Sequence, residues 1–333
     1  MRVAINGFGR IGRAVFRIAE MSDDIDIVAI NDLFDHEALC YLLTYDTVMG
    51  RFQGEAHIED GHLVTKRARV RMVKEKDPTK LPWKELEVDV VVESTGVFRS
   101  RDQLAMHLTA GAKRALLTVP AKDTIDYMIV LGVNEEGLSR EHRLVSNASC
   151  TTNCLAPVAK VLNDNFGIRE GVMNTVHAYT NDQRLADVPH EDWRRSRAAA
   201  ENIIPTSTGA AKAVGEVLPE LAGKLDGIAS RVPVPDGSVV DLFVELEHDV
   251  TVKDVHEVMR EAAASPRLKQ VLEFTREPVV SSDIIGNPHS SIFDGSFTQV
   301  SGGRFLKCLS WYDNEWGYSN RVCDVLRRMA ELD

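Results

Sequence analysis

Three features of the 333-residue sequence predict an α/β chain of two domains. A short apolar run, "RVAI" (2–5), leads through a glycine-rich turn into a segment of helical periodicity. Apolar runs rich in branched residues then alternate with helical segments up to residue 150. Beyond it, longer strands with alternating polarity take over. The first two features specify a doubly wound parallel sheet, since strands covered on both faces read as continuous apolar runs and parallel strands need helical crossovers. The third specifies an α+β region with a larger, mostly antiparallel sheet and helices on one face.

Each element follows in order. "RAVFRIAEM" after the turn is a helix and "IDIVAIND" (25–32) a second buried strand. "EALCYLLTYD" reads as a helix, and residues 55–73 alternate as short strands. "VDVVVEST" (88–95), "RALLTV" (114–119) and "YMIVLGV" (127–133) are sheet strands, with the helical "SRDQLAMHLTAGA" between the first two. After residue 150 come strands in "GVMNTVHAY" (171–179), "GSVVDLFVELEHDV" (237–250) and "RFLKCLSWYD" (304–313). Helices "GAAKAVGEVLPEL" (209–221) and "VKDVHEVMREAAA" (252–264) are interleaved with them. An amphipathic C-terminal helix closes the chain. No linker-like stretch separates the halves, so the expected boundary after residue 149 is a change of pattern only.

Composition narrows the function classes. At 44% hydrophobic and 27% charged residues the chain is of ordinary globular make-up. No apolar run approaches the roughly 20 residues that span a bilayer, and the opening "MRVAINGFGR" reads as a strand rather than a secretion signal, so a cytoplasmic protein is expected. A net charge of −11 argues against nucleic acid as the main partner, although "RRSR" (194–197) is a local basic cluster able to meet an anion. Five cysteines without regular spacing make no disulfide framework, and no second Cys/His cluster completes a zinc site.

"GFGRIG" places Gly7, Gly9 and Gly12 between the first strand and the first helix. Such glycines permit a tight turn, a close backbone approach to a pyrophosphate, and close helix–strand packing, while the helix N-terminus offers free N–H groups to the phosphates. Asp32 ends the second strand about 20 residues on, where a carboxylate accepts from ribose hydroxyls and repels a 2′-phosphate. The turn is therefore a Rossmann-like dinucleotide site that favours NAD over NADP.

"SNASCTTNC" (146–154) holds two cysteines four positions apart. A metal pair, a redox couple, a nucleophile with a bystander, or two core thiols would each fit that spacing. The stretch turns helical just after Cys150, with Ser149 at the N-cap position. The helix dipole there favours thiolate, whereas Cys154 sits one turn further in and suits a core position. A nucleophilic thiol wants a base. His177, at a strand end leading into a polar loop, is a candidate, although a histidine in such a place is more often structural.

"INGFGRIG", "ASCTTNCLAP", "TVHAYTNDQ", "IIPTSTGAAKAV", "RVPVPDGSVVDL" and "WYDNEWGYSNRV" occur in an order and at spacings that resemble the phosphorylating glyceraldehyde-3-phosphate dehydrogenases, over essentially the whole chain. The resemblance implies Cys150 as nucleophile and His177 as its partner. It implies oxidation of glyceraldehyde 3-phosphate to 1,3-bisphosphoglycerate with NAD and inorganic phosphate, through a cysteine thiohemiacetal and a thioester. It puts Thr180, Asp182 and Arg231 around the substrate phosphate, and Ser149, Thr151, Arg197, Thr208 and Gly209 around the inorganic one. A carboxylate repels phosphate, so Asp182 is expected to orient Arg231 or a turn.

On the cofactor side the resemblance adds Asn6, Arg10 and Ile11 in the loop, Lys76, Ser94, Thr95, Gly96 and Thr118 after sheet strands, and Asn314 with Tyr318 beside the nicotinamide. It implies an NAD-binding domain over 1–149 with helix 315–333 packing back on it, a catalytic domain over 150–314, a homotetramer, and no metal. Leu33, Val188 and Pro189 agree with NAD use. Asn174 departs from the family pattern, in which Thr is commoner there. The alternatives are erythrose-4-phosphate dehydrogenase, whose phosphate-site segments differ from "AYTND" and "TSTGAA", and an NAD-binding redox sensor, which would produce no NADH.

Overall fold

The computed structural model describes residues 1–332 as two compact units. One comprises Met1–Ile129, Glu135–Ser149 and the chain from Ser319 onward; the other comprises Val130–Asn134 and Cys150–Tyr318. Among the described residues no helix is long and apolar enough to cross a membrane.

The first unit begins β1 (Arg2–Asn6), α1 (Arg10–Ala19), β2 (Asp26–Asn31) and α2 (His36–Thr44). The short strands β3 (Ala56–Glu59), β4 (His62–Thr65) and β5 (Arg69–Val73) follow. Then come β6 (Val90–Glu93), α3 (Arg101–Thr109), β7 (Arg114–Leu117), β8 (Tyr127–Met128) and β9 (Leu144–Ser146). They form one sheet in the order β3-β4-β5-β2-β1-β6-β7-β9-β8, parallel except where β4 pairs with β3 and β5. The chain winds outward in both directions from β1, so the order reverses between β1 and β6.

Period-two alternation decides what each face covers. Ala4, Val91 and Ala115 stand in register across β1, β6 and β7 and join the apolar clusters around Trp83 and Leu104 of α3. Ile5, one residue on, faces α1, whose Gly12 comes so near that a Cβ there would lie 3.2 Å from Ile5 Cγ2. Ser100 and Gln103 form a capping box that starts α3. The expected strand at 127–133 is cut to two residues. From Val130 the chain belongs to the second unit, where Asn134 Oδ1 takes the Val130 N–H and Gly132 adopts φ +80°, so it forms a turn rather than a strand.

The second unit runs α4 (Cys150–Phe166), β10 (Ile168–Ala178), β11 (Ile204–Ser207), α5 (Ala210–Val217), β12 (Leu225–Val232) and β13 (Ser238–Leu246). It continues with α6 (Val252–Ala264), β14 (Leu272–Thr275), α7 (Ser281–Ile284), β15 (Ser291–Ser301) and β16 (Phe305–Tyr312). The sheet order is β11-β12-β10-β13-β16-β15-β14, antiparallel but for the β10–β12 and β14–β15 pairs. Among the described residues it has seven strands against nine in the first sheet, so it is not the larger by strand number; its strands are simply longer. Helices α4, α5 and α6 pack together against one face. That face takes Met173, Thr175 and His177 of β10 and Leu306, Cys308, Ser310 and Tyr312 of β16, all buried.

Helix α8 (Trp316–Ala330) ends the described chain. From Ser319 it belongs to the first unit, where Arg114 donates to the Met329 carbonyl at 2.9 Å and Arg327 pairs with Asp24 at 2.6 Å. Asp333, the last residue of the expected 315–333 helix, lies outside the described residues.

Candidate active site and nucleotide loop

A non-glycine residue, Ala148, takes φ +53° just before α4, where the chain leaves the first unit, a conformation L side chains rarely adopt and one that clusters at functional sites. The turn leads through Ser149 to Cys150, the first residue of α4. His177 is the penultimate residue of β10, and alternation puts it on the helix-covered face. Its Nε2 lies 3.5 Å from Cys150 Sγ. The parallel register sets His177 opposite Arg231 on β12, and Arg231 Nη1 reaches His177 Nδ1 at 2.7 Å and the Ala178 carbonyl at 3.0 Å. Tyr312 holds its hydroxyl between Thr151 at 2.8 Å and Thr175 at 2.7 Å, with its ring edge-on to His177 at 5.8 Å.

The electrostatics differ from the expectation of a simple dipole-stabilised thiolate. Burial pushes the Cys150 thiol up, and the Arg231 charge pulls it back down. Cys150 keeps part of its surface open, which limits the first effect. Burial and then the Arg231 guanidinium press the His177 imidazole down to about 3, so it stands as a neutral base. Cys154 is fully buried, in contact with Ser291 and the Ser310 carbonyl, and burial pushes it up to about 12. Of the two cysteines in "SCTTNC" only the first keeps part of its surface open and stands beside an imidazole.

The polar loop after β10 gathers a second cluster. Thr180 donates to Asp182, and Arg195 Nη1 donates to the other Asp182 oxygen at 2.6 Å while its Nε meets Thr206 at 3.1 Å. Burial works to raise the Asp182 carboxyl, but Thr180, Arg195 and Arg231 together hold it below the usual range. Arg197 is not drawn in; it pairs with Asp187 at 2.9 Å on an exposed stretch. Arg195, two residues earlier in the same "RRSR", occupies the cluster instead. The basic run was visible in the sequence, but which of its side chains turns inward was not.

The other expected anion ligands spread around Cys150 and α5. Thr151 is buried and spends its hydroxyl on Tyr312, leaving its backbone at the start of α4. Thr208 Oγ1 accepts from Ala210 N–H at 3.2 Å, and Gly209 sits at the N-cap of α5 with no side-chain cap and nothing within 4 Å of a Cβ position. Asn314 accepts from Ser238 Oγ at 2.6 Å, and Tyr318 is buried.

In the first unit the glycine loop passes a test for a bound dinucleotide. Gly7 takes φ +94°, and a Cβ there would lie 2.6 Å from Thr95 N; one on Gly12 would lie 2.2 Å from Gly7 O. Those two glycines are required by the fold itself. A Cβ on Gly9 meets nothing within 4 Å, although Gly9 caps α1 without a side-chain partner. The open space before an uncapped helix start is what a pyrophosphate fills. Asp32 follows β2, accepting from Phe8 N–H at 2.7 Å and Phe34 N–H at 3.1 Å.

Lys76 follows β5 and is exposed; Ser94, Thr95 and Gly96 follow β6; Thr118 follows β7. All lie beyond the carboxyl ends of parallel strands, Ser94, Thr95 and Gly96 directly at the reversal in strand order, where open parallel sheets bind nucleotides. Ile11 is half-buried in the first turn of α1, and Arg10 pairs with Asp46. Asn6 turns inward, donating to buried Glu93 at 2.6 Å and accepting from Asn31 at 2.7 Å. Glu93, a charged residue ending the apolar "VVVE", also takes Thr95 N–H and His107 Nε2. It braces both loops from beneath, a role signalled only by its misfit in an apolar strand. Among the described residues no group of three His, Cys, Asp or Glu side chains is arranged to hold a metal ion.

Residues 149–314 match the family model described as glyceraldehyde 3-phosphate dehydrogenase, C-terminal domain, and residues 1–101 match its NAD binding domain. The chain is 56% identical to the glyceraldehyde-3-phosphate dehydrogenase of Borreliella burgdorferi, over 99% of this chain and 100% of that protein. It is 54% identical to that of Streptomyces coelicolor, over 98% and 97%. It is 53% identical to that of Geobacillus stearothermophilus, over 99% and 98%. The loop, the thiol–imidazole pair and these matches agree: the chain belongs to the glyceraldehyde-3-phosphate dehydrogenase family.

Proposed function

We infer that the protein oxidises glyceraldehyde 3-phosphate to 1,3-bisphosphoglycerate, using NAD and inorganic phosphate. The observation that carries this reading is the Cys150 sulfur at the first residue of α4, 3.5 Å from a neutral His177. Cys150 Sγ attacks the aldehyde carbon, and the new hydroxyl of the thiohemiacetal gives its proton to His177 Nε2. When bound, NAD supplies the two-electron acceptor for the oxidation. It would be held by the Gly7–Gly9–Gly12 turn, by Asp32 on the adenosine ribose, and by Ser94, Thr95, Gly96 and Thr118. The Cys150 N–H and the His177 ring steady the oxyanion. The acyl group stays on Cys150 as a thioester until inorganic phosphate displaces it as an acyl phosphate.

Arg231 and Thr180 are the proposed ligands of the substrate phosphate, with Asp182 and Arg195 fixing the loop around them. Ser149, Thr151, Thr208 and Gly209 would receive the inorganic phosphate, the last two at a helix start suited to it. Arg195 rather than Arg197 is the better placed basic residue. A homotetramer is supported by the sheet face that α4, α5 and α6 leave uncovered, where Val172 is 58%, Ile228 51% and Phe305 50% exposed. Five free cysteines support a reducing, cytoplasmic setting. The test is NADH formation from the triose phosphate, which should need added phosphate or arsenate and should exceed the rates with erythrose 4-phosphate and with NADP. Turnover without phosphate, or preference for the tetrose, would overturn the reading.

A further inference from the structure

His177 Nδ1 has two neighbours and one proton to offer. It lies 2.7 Å from the Ala178 carbonyl oxygen and 2.7 Å from Arg231 Nη1, which is itself 3.0 Å from that oxygen. If Nδ1 carries the ring proton, it donates to Ala178 and meets an Arg231 N–H head-on. If Nδ1 is bare, it accepts from Arg231 but faces the carbonyl lone pairs. Arginine does not lose its proton in proteins, so Arg231 at this distance favours the bare Nδ1. The ring proton then sits on Nε2, the nitrogen facing Cys150, where a base needs a lone pair. The guanidinium charge opposes imidazolium formation as well. Arg231 also has an unused donor, since its Nε is buried with no hydrogen-bond partner.

We propose that a phosphate dianion seated on Arg231 switches His177 from the Nε2–H to the Nδ1–H tautomer, so that the substrate's own phosphate turns on the base that processes its aldehyde. The inference rests on Arg231 as a phosphate ligand. Once Arg231 turns to the dianion, Nδ1–H is free to donate to Ala178, Nε2 presents its lone pair, and the neutralised guanidinium no longer repels a proton on the ring. Other groups facing the ring leave this logic intact. Cys150 at the start of α4 carries the thiohemiacetal whose hydroxyl is the proton's source. Tyr312 of β16 is held neutral by burial. Asp182, after β10, favours imidazolium but is tied to Thr180 and Arg195. Asp236, after β12, acts on Cys150.

The experiment splits the substrate. The NAD-loaded protein is mixed rapidly with unphosphorylated glyceraldehyde, with and without phosphite dianion, and the first-turnover NADH burst is followed across pH. Phosphite should accelerate the wild-type burst roughly tenfold or more. It should also move the acid limb of its pH profile upward by about one to three units, the reach of a nearby charge. Arg231→Met should show no acceleration, and the same acid limb with and without phosphite. Acceleration with an unmoved limb, or an equal response in Arg231→Met, overturns the switch. If Arg231→Met keeps the wild-type KM for glyceraldehyde 3-phosphate, the phosphate seat lies elsewhere and both readings fall. If KM rises while the wild-type limb stays put, the seat stands and the switch alone falls. The wild-type arm decides even if the variant does not fold.

Discussion

At Asp236 the site carries a buried carboxyl that the chemistry does not use. One oxygen accepts from Gly237 N–H at 2.8 Å, and the other is buried without a partner. Burial, and then the charge of Asp313, push it up to about 9. Asp313 itself accepts from the N–H groups of Gly286, Glu315 and Trp316. The sign of the linkage follows. Between an unfolded value near 3.8 and about 9 the folded chain binds one proton more than the unfolded chain, so this group lowers stability as pH rises through that window. Asp236→Asn should therefore raise the melting temperature at pH 8 and leave it nearly unchanged near pH 4. Equal shifts at both pH values would show that Asp236 is ionised in the fold. Residue identities such as Cys150, His177 and Asp32 were legible because each stands in a short motif with a chemical rationale. Arg195 and Glu93 were not, because side-chain direction in a loop and a carboxylate's hidden partners depend on contacts far away in sequence.

At the scale of elements, the glycine loop separates two demands that a motif merges. Gly7 and Gly12 serve packing, whereas Gly9 borders open space, which we propose the pyrophosphate fills. Gly9→Ala should fold with the wild-type melting temperature yet lose NAD affinity by roughly tenfold or more, as read by calorimetric titration. Unchanged affinity would mean that the pyrophosphate does not lie against Gly9. Strands such as β1, β2, β6 and β7 were readable because both faces are covered and their sequences are continuously apolar. β9, β11, β12, β14 and β15 escaped. β9 has three residues, and β15 carries Asp294 and Gly295 where its register with β16 shifts, so neither shows a clean period. The 127–133 run failed for the opposite reason: its apolar residues fill a buried turn rather than a strand.

For the whole molecule, the uncovered face of the second sheet is the feature most at odds with an isolated chain. Sedimentation should give about four times the 37.0 kDa chain mass. Phe305→Asp should reduce that mass, since a charge buried at an interface without a partner is costly. A monomeric wild type would remove the proposed tetramer. The central claim is that Cys150, with His177 as its base, carries the acyl group. It is tested most directly by the NADH burst on mixing the NAD-loaded protein with glyceraldehyde 3-phosphate without inorganic phosphate. The account predicts close to one NADH per Cys150, no burst in Cys150→Ser, and a burst slowed roughly 10²- to 10⁴-fold in His177→Asn. A full burst in Cys150→Ser would contradict it.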